Sequence, residues 1–171
     1  PEYIGKILRA VEADPNMNSE QLTTLMIHTA LEQVDEANTQ WSYDAARIYL
    51  LELYSKAAKN RGYDPNEIYG DYYELQKQLH AKRIYSSRIL EAYSESELKE
   101  AAAFIEPSRD RLFDYIGLHT LATRYLAMDH NKRTYELPQE RWLTIALYLM
   151  QDEPQSKRMT LVAEAYWALS N

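Results

Sequence analysis

Apolar side chains recur at every third or fourth position along most of this chain, the spacing of amphipathic helices. Tyr3, Ile4, Ile7, Leu8 and Val11 mark a first helix, which the D-P-N of Asp14 to Asn16 stops. Asn18 is placed to cap a second helix, with Gln21 three residues on completing a capping box and Leu22, Leu25, Met26, Ala30 and Val34 lining one face. After the polar DEANTQ comes the clearest helix, SYDAARIYLLELYSKAAKNRG, with Ser42 as expected N-cap and Gly62 as the residue past its end. Lys56, Lys59 and Arg61 fall in its last turns, where cations complement the helix dipole. Asp64-Pro65 is a helix-start signal for the tyrosine-rich NEIYGDYYELQKQLHAKRI, and Ser94 with Glu97 forms an S-x-x-E box before the next. EPSRDRLFDYIGLHTLATRYL reads as one or two helices with Gly117 in the middle, and Pro138 and Pro154 open the last two.

The periodicity breaks once, in YLAMDHNKRTYELPQERW, Tyr125 to Trp142. There a short alternating run, a polar D-H-N-K turn and a second short run predict a small two-stranded arm, which needs packing against helices to persist. The expected fold is mainly α, about eight helices in an orthogonal bundle-like domain with one short β-hairpin near residues 125–136. A boundary is expected near residues 62–66, between a small helical unit, 1–63, and a larger one, 64–171, that carries the hairpin.

Composition narrows the function classes. Four glycines and six prolines in 171 residues favour long helices over a turn-rich sheet. Fifteen tyrosines against two phenylalanines point to core-edge rings that pack and still hydrogen-bond. A net charge of −7 without a long basic run argues against a nucleic-acid backbone binder. With no cysteine, the stretch has no disulfide, thiolate metal site or thiol chemistry, which fits a reducing compartment. No apolar run approaches the roughly 18–20 residues that span a bilayer, and no signal peptide is visible. The start at Pro1, without methionine, is expected of a fragment or a processed chain.

Candidate chemistry is sparse. The glycines stand singly at 5, 62, 70 and 117, so no phosphate loop is present, and neither H-E-x-x-H nor E-x-x-H occurs. His28 and Glu32 are one turn apart but lack further metal ligands, which favours a surface or core-edge pair. Arg109, Asp110, Arg111 and Asp114 in RDRLFD read as local ion pairs near a helix start rather than as an anion site. Arg47 is expected at the core edge, paired to a carboxylate, and Trp41, Trp142 and Trp167 as core anchors.

The order of motifs says more. Tyr43, Ala45, Ala46 and Arg47 follow the pattern Y-x-x-A-A-R. Arg109, Asp110, Phe113, Tyr115, Gly117, Leu121, Tyr125 and Leu126 follow R-D-x-x-F-x-Y-x-G-x-x-x-L-x-x-x-Y-L. Glu136, Pro138 and Gln139 follow E-T-P-Q, with Leu137 in place of threonine, and a final helix closes on a small-residue turn. In this order, over residues 17 to 171, the chain resembles the N-terminal region of the large, catalytic subunit of class I ribonucleotide reductases. The resemblance implies a parent enzyme that reduces ribonucleoside diphosphates to deoxyribonucleotides by radical chemistry. Its radical would come from the metal centre of a partner small subunit, and its cysteine chemistry would lie in a barrel beginning near Asn171. Residues 1–63 would be the helical back half of an ATP-cone-like unit, incomplete because the family's basic K-R-D-G hairpin and first helix have no counterpart. Residues 64–171 would be the helical domain that precedes the barrel.

On that resemblance, no catalytic or metal-ligating residue of the family falls on this chain, and no cofactor binds within it. Ser19 and Lys56 fall near a hydroxyl and a lysine that contact the effector, ATP or dATP, in the family. Implied partners are the rest of the same subunit, the radical-generating small subunit and a second copy in a homodimer, in the cytoplasm, with neither nucleic acid nor membrane. A rival from another class is a free-standing helical adaptor that binds a partner through a tyrosine-rich groove along Tyr69, Tyr72 and Tyr73.

Overall fold

The computed structural model describes residues 2–171, and among these nine α-helices and one 3₁₀ helix account for nearly all regular structure. In chain order they are α1 (Glu2–Ala13), α2 (Ser19–Leu31), α3 (Gln40–Arg61), α4 (Tyr72–Ala81), α5 (Arg88–Ala92), α6 (Glu95–Ala102), the 3₁₀ helix (Pro107–Leu112), α7 (Tyr115–Arg124), α8 (Pro138–Met150) and α9 (Gln155–Ser170). The chain forms two compact units. One comprises Pro1–Glu52 with Arg111–Thr120, the other Leu53–Asp110 with Leu121–Asn171.

In the first unit, Ile27, Ala30 and Ala45 form a small core, with Tyr3, Leu31, Trp41, Ile48, Tyr49 and Tyr115 packed against it. The Asn18–Gln21 capping box opens α2 as expected. The expected stripe of α1 divides: Tyr3 reaches the core edge, donating to the Met26 carbonyl at 3.2 Å, whereas Ile4, Leu8 and Val11 are exposed. Val34 is exposed as well, because α2 ends at Leu31. α3 starts two residues earlier than its expected cap. Asp35 accepts from the Ala37 and Asn38 amides, and the turn it closes carries the chain into the helix at Gln40. Ser42 therefore lies inside the first turn, where its hydroxyl accepts from the Tyr115 amide at 3.3 Å. Gly117 does not interrupt α7. Its amide donates to Asp114 at 2.7 Å, so Asp114 caps the helix and Gly117 sits in the first turn.

The second unit holds the larger core, built on Tyr72, Leu75, Leu79, Tyr93, Leu98, Leu143, Leu147, Val162 and Tyr166. Gly62 ends α3 with φ 79°, the left-handed conformation expected of it, and its amide donates to the Ala58 carbonyl at 2.7 Å. Asp64-Pro65 makes a turn rather than a helix start: Asp64 accepts from the Asn66 amide, and α4 begins only at Tyr72, capped by Asp71. Ser94 and Glu97 form the expected box.

The arm between α7 and α8 keeps its turn but has little ladder. One antiparallel bridge joins Met128 to Thr134, and the Tyr135 amide donates to the Ala127 carbonyl at 3.0 Å. Asp129 closes the turn by accepting from the Asn131 and Arg133 amides. Ala127 and Tyr135 are buried, while Tyr125, the first residue of the segment, is exposed just past α7. The arm is tied down by α3: Asn60 donates to the Thr134 carbonyl at 2.8 Å and Arg61 to the Tyr135 carbonyl at 3.4 Å.

A Cβ on Gly62 would meet nothing within 4 Å, so only the backbone resists a side chain there. Gly62→Ala is expected to destabilise the chain by about 1–2 kcal/mol, read as a lower urea midpoint at unchanged slope.

Candidate functional site

The polar groups with the most chemical potential gather where the arm runs into α8. Glu136, Gln139 and Glu140 all flank Pro138 and are fully buried, as is Asp110 from the 3₁₀ helix. Burying charge in this way is costly unless every lone pair finds a donor.

Each carboxylate meets that demand differently. Asp110 has three donors: Tyr54 and Tyr69 hydroxyls at 2.6 Å on Oδ2, and the Gln139 amide nitrogen at 2.8 Å on Oδ1. Glu136 accepts from the Tyr85 hydroxyl at 2.7 Å and the Ala127 amide at 3.0 Å, and pairs with Arg141 at 2.8 Å. Glu140 accepts two hydrogen bonds from Arg61 Nη1, at 2.8 and 3.1 Å, and one from the Leu137 amide at 2.8 Å. That last contact caps the first turn of α8 from within. Thr144, one turn on, joins Tyr72 and Gln76 to the cluster.

Gln139 links the cluster to α9. It donates to Asp110 and accepts from the Tyr166 hydroxyl at 2.9 Å, and its backbone amide donates to the Tyr69 hydroxyl at 3.1 Å. The local ion pairing expected within RDRLFD is thus replaced by long-range contacts. Asp110 turns inward to two tyrosines and a glutamine, and Arg109 turns toward the end of α9. Trp167, expected in the core, is exposed beneath Arg109.

Burial raises all three carboxyls above their ordinary values. For Asp110, the hydroxyl and amide donors only partly oppose it. For Glu136, Arg141 opposes it. Burial pushes Glu140 up to about 7, with Arg61 pulling down and the neighbouring Glu136 pushing up. Tyr69 and Tyr72 are held well above the usual phenol value by burial. Sealed from solvent and saturated with internal donors, these groups can hold α3, α8, α9 and the arm together, but they offer no surface to a substrate.

The other expected site residues lie outside this cluster. Ser19 is the exposed first residue of α2, its carbonyl accepting from Thr23, and Lys56 is exposed on α3; the two belong to different units. The depression beside Ser19 is lined by Asn18, Glu20, Gln21, Thr24, Leu25 and His28, a set with a carboxylate and no lysine or arginine. Glu32 pairs with Lys6 at 3.3 Å, and among the described residues no three His, Asp or Glu side chains group as metal ligands. Arg47 does find a carboxylate, Asp44 at 2.5 Å, but on the surface rather than at the core edge. The tyrosine groove does not form: Tyr72 is buried on Thr144 and the Tyr69 hydroxyl is committed to Asp110. No helix among the described residues is long and apolar enough to cross a membrane.

Comparison with known proteins gives a consistent picture. Residues 111–171 match the family model described as "Ribonucleotide reductase, all-alpha domain". The chain is 32% identical over 155 residues to the ribonucleoside-diphosphate reductase subunit alpha of Helicobacter pylori (strain ATCC 700392 / 26695), covering 90% of this chain and 18% of that protein. It is 34% identical over 146 residues to the Treponema pallidum (strain Nichols) subunit alpha, covering 85% and 17%. Against the Escherichia coli (strain K12) reductase 1 subunit alpha, identity is 27% over 146 residues, covering 85% and 18%. The chain therefore spans less than a fifth of the length of these relatives.

Two outcomes test the buried cluster. Asp110→Ala, which strands two hydroxyls and an amide, is expected to cost about 3 kcal/mol or more, and Asp110→Asn less. Arg47→Ala should stay within about 0.5 kcal/mol of wild type in the same urea titration. The second concerns pH. Glu140 ionises at about 4.5 when unfolded and about 7 when folded, so between these values the folded state holds the extra proton and stability falls as pH rises. Asp110 and Glu136 act with the same sign. Glu97, Asp35 and Asp129, held below the ordinary range, act oppositely but only in acid. Unfolding free energy should drop by about 1–3 kcal/mol from pH 5 to 7, and Glu140→Gln should flatten that slope. A rise over this window would overturn the assignment.

Proposed function

The chain belongs to the ribonucleotide reductase alpha-subunit family, and on that premise we propose that it is the N-terminal scaffold of such a subunit, structural and regulatory rather than catalytic. The parent enzyme reduces ribonucleoside diphosphates to deoxyribonucleotides in the cytoplasm, working with a small subunit whose metal centre generates the radical and with a second copy of itself. Residues 1–63 are the helical back half of an ATP cone, and residues 64–171 join it to the catalytic region that follows. The observation that carries this reading is the buried cluster at the start of α8. The carboxylates of that cluster are engaged by tyrosines, arginines and Gln139 from the neighbouring segments, which suits a support that holds helices together.

Effector recognition by ATP or dATP belongs to the whole cone. Ser19 and Lys56 are its contributions from this stretch, a hydroxyl and an ammonium that would meet the nucleotide once the front half supplies the phosphate-binding basic groups. Supporting this division of labour, the residues that line the depression beside Ser19 include no lysine or arginine.

The test compares lengths. The full alpha subunit with its small subunit is expected to reduce a nucleoside diphosphate, and these 171 residues with the same small subunit to give no turnover. ATP should leave the melting temperature of the 171-residue chain unchanged, since only a ligand that binds the native state raises it. Turnover by the short chain, or a saturable ATP shift, would show that the catalytic or effector site is already complete within it.

A further inference from the structure

The end of α9 is fastened in a way the buried cluster does not require. Arg109 reaches the last turn described for α9. Its Nη1 donates to the Trp167 carbonyl at 3.4 Å and to the Ser170 hydroxyl, and its guanidinium lies 3.7 Å from the centre of the Trp167 ring and 6.0 Å from that of Tyr166. Ser170 is buried.

The arginine stands on a fixed base. The residue after it, Asp110, is locked by three donors, and Glu106 donates its amide to the Tyr166 hydroxyl at 2.9 Å. Tyr166 points inward to Gln139 while Trp167, the next residue, lies outside under Arg109. The last turn of α9 is thus gripped from two sides, and its rotation about the helix axis is set. A lysine could supply the charge but not the flat face that stacks on an indole while donating sideways to a carbonyl and a hydroxyl.

We propose that Arg109 is a positioning residue that sets the rotation of α9, and with it the path of whatever follows α9 toward the catalytic region of the parent subunit. This rests on the reading of the chain as the N-terminal part of a reductase alpha subunit. A misplacement of about 1 Å at a reacting centre, even from a distant change, can slow a reaction of this demand by on the order of a hundredfold, so a loosened exit is expected to be felt in turnover.

The experiment uses the full-length alpha subunit with its small subunit and the variants Arg109→Ala, Arg109→Lys and Ser170→Ala. At a temperature where melting curves show each variant folded, R109A is expected to lower kcat/KM for a nucleoside diphosphate about tenfold. R109K should restore less than half of the loss, and S170A should fall between R109A and wild type. Amide hydrogen exchange over Trp167 to Ser170 should speed up in R109A while exchange at the start of α8 stays as in wild type. Wild-type kcat/KM in folded R109A, unchanged exchange at the end of α9, or full rescue by lysine would overturn the proposal. Should R109A fail to fold, S170A decides: wild-type kcat/KM and exchange in that variant count against it. A wild-type subunit without reductase activity would instead sink the functional reading, and the exchange measurement would still judge the clasp.

Discussion

Everything in the larger unit leans on the burial of three carboxylates at one helix start. Asp110, Glu136 and Glu140 come from the 3₁₀ helix, the arm and α8; Arg141 pairs with Glu136 and Arg61 with Glu140, while Asp110 is met by uncharged donors. The imbalance is met by donors without charge: Tyr54, Tyr69, Tyr85, Gln139 and the amides of Ala127 and Leu137. This gives a role to three of the fifteen tyrosines. A ring that packs while its hydroxyl answers a buried carboxylate does two tasks that phenylalanine cannot combine. It also explains how a two-residue bridge survives between helices, since the arm is held by Asn60 and Arg61 rather than by its own ladder.

The arrangement suits a supporting role. In a chain related to reductase alpha subunits but less than a fifth of their length, the polar groups are spent on joining helices. The two compact units divide α3 and the segment around α7 between them, so compactness cuts the chain differently from a boundary drawn at the turn after α3. That turn is nonetheless real, with Gly62 in the left-handed conformation and Asp64 closing a tight bend.

Helices, caps and the arm were legible because they rest on local rules. Asn18 with Gln21, Ser94 with Glu97, Gly62 and Pro138 all act as their spacing predicts. Local rules also misled where a second local option existed: Asp35 started α3 before Ser42, and Asp71 replaced Asp64 as the cap of α4. The buried cluster was not legible. RDRLFD has the spacing of surface ion pairs, and nothing within it says that its aspartate will meet Tyr54, Tyr69 and Gln139. Glu136 and Gln139 stood out only through their resemblance to a family pattern. The one residue-level signal was two glutamates four apart, Glu136 and Glu140, in a segment otherwise turning apolar.

One contact has a bearing on how the chain folds. The two hydroxyls that converge on a single oxygen of Asp110 lie 56 and 41 residues before it, and the glutamine on its other oxygen 29 residues after. Until all three arrive, the aspartate is better left in water, so no pair of these segments gains much by meeting first. Loop closure over such separations is slow for a helical protein, where most contacts form between near neighbours. The helices with side-chain caps, α2, α4, α6 and α7, can form early, and the step that locks the larger unit is expected to be late and concerted.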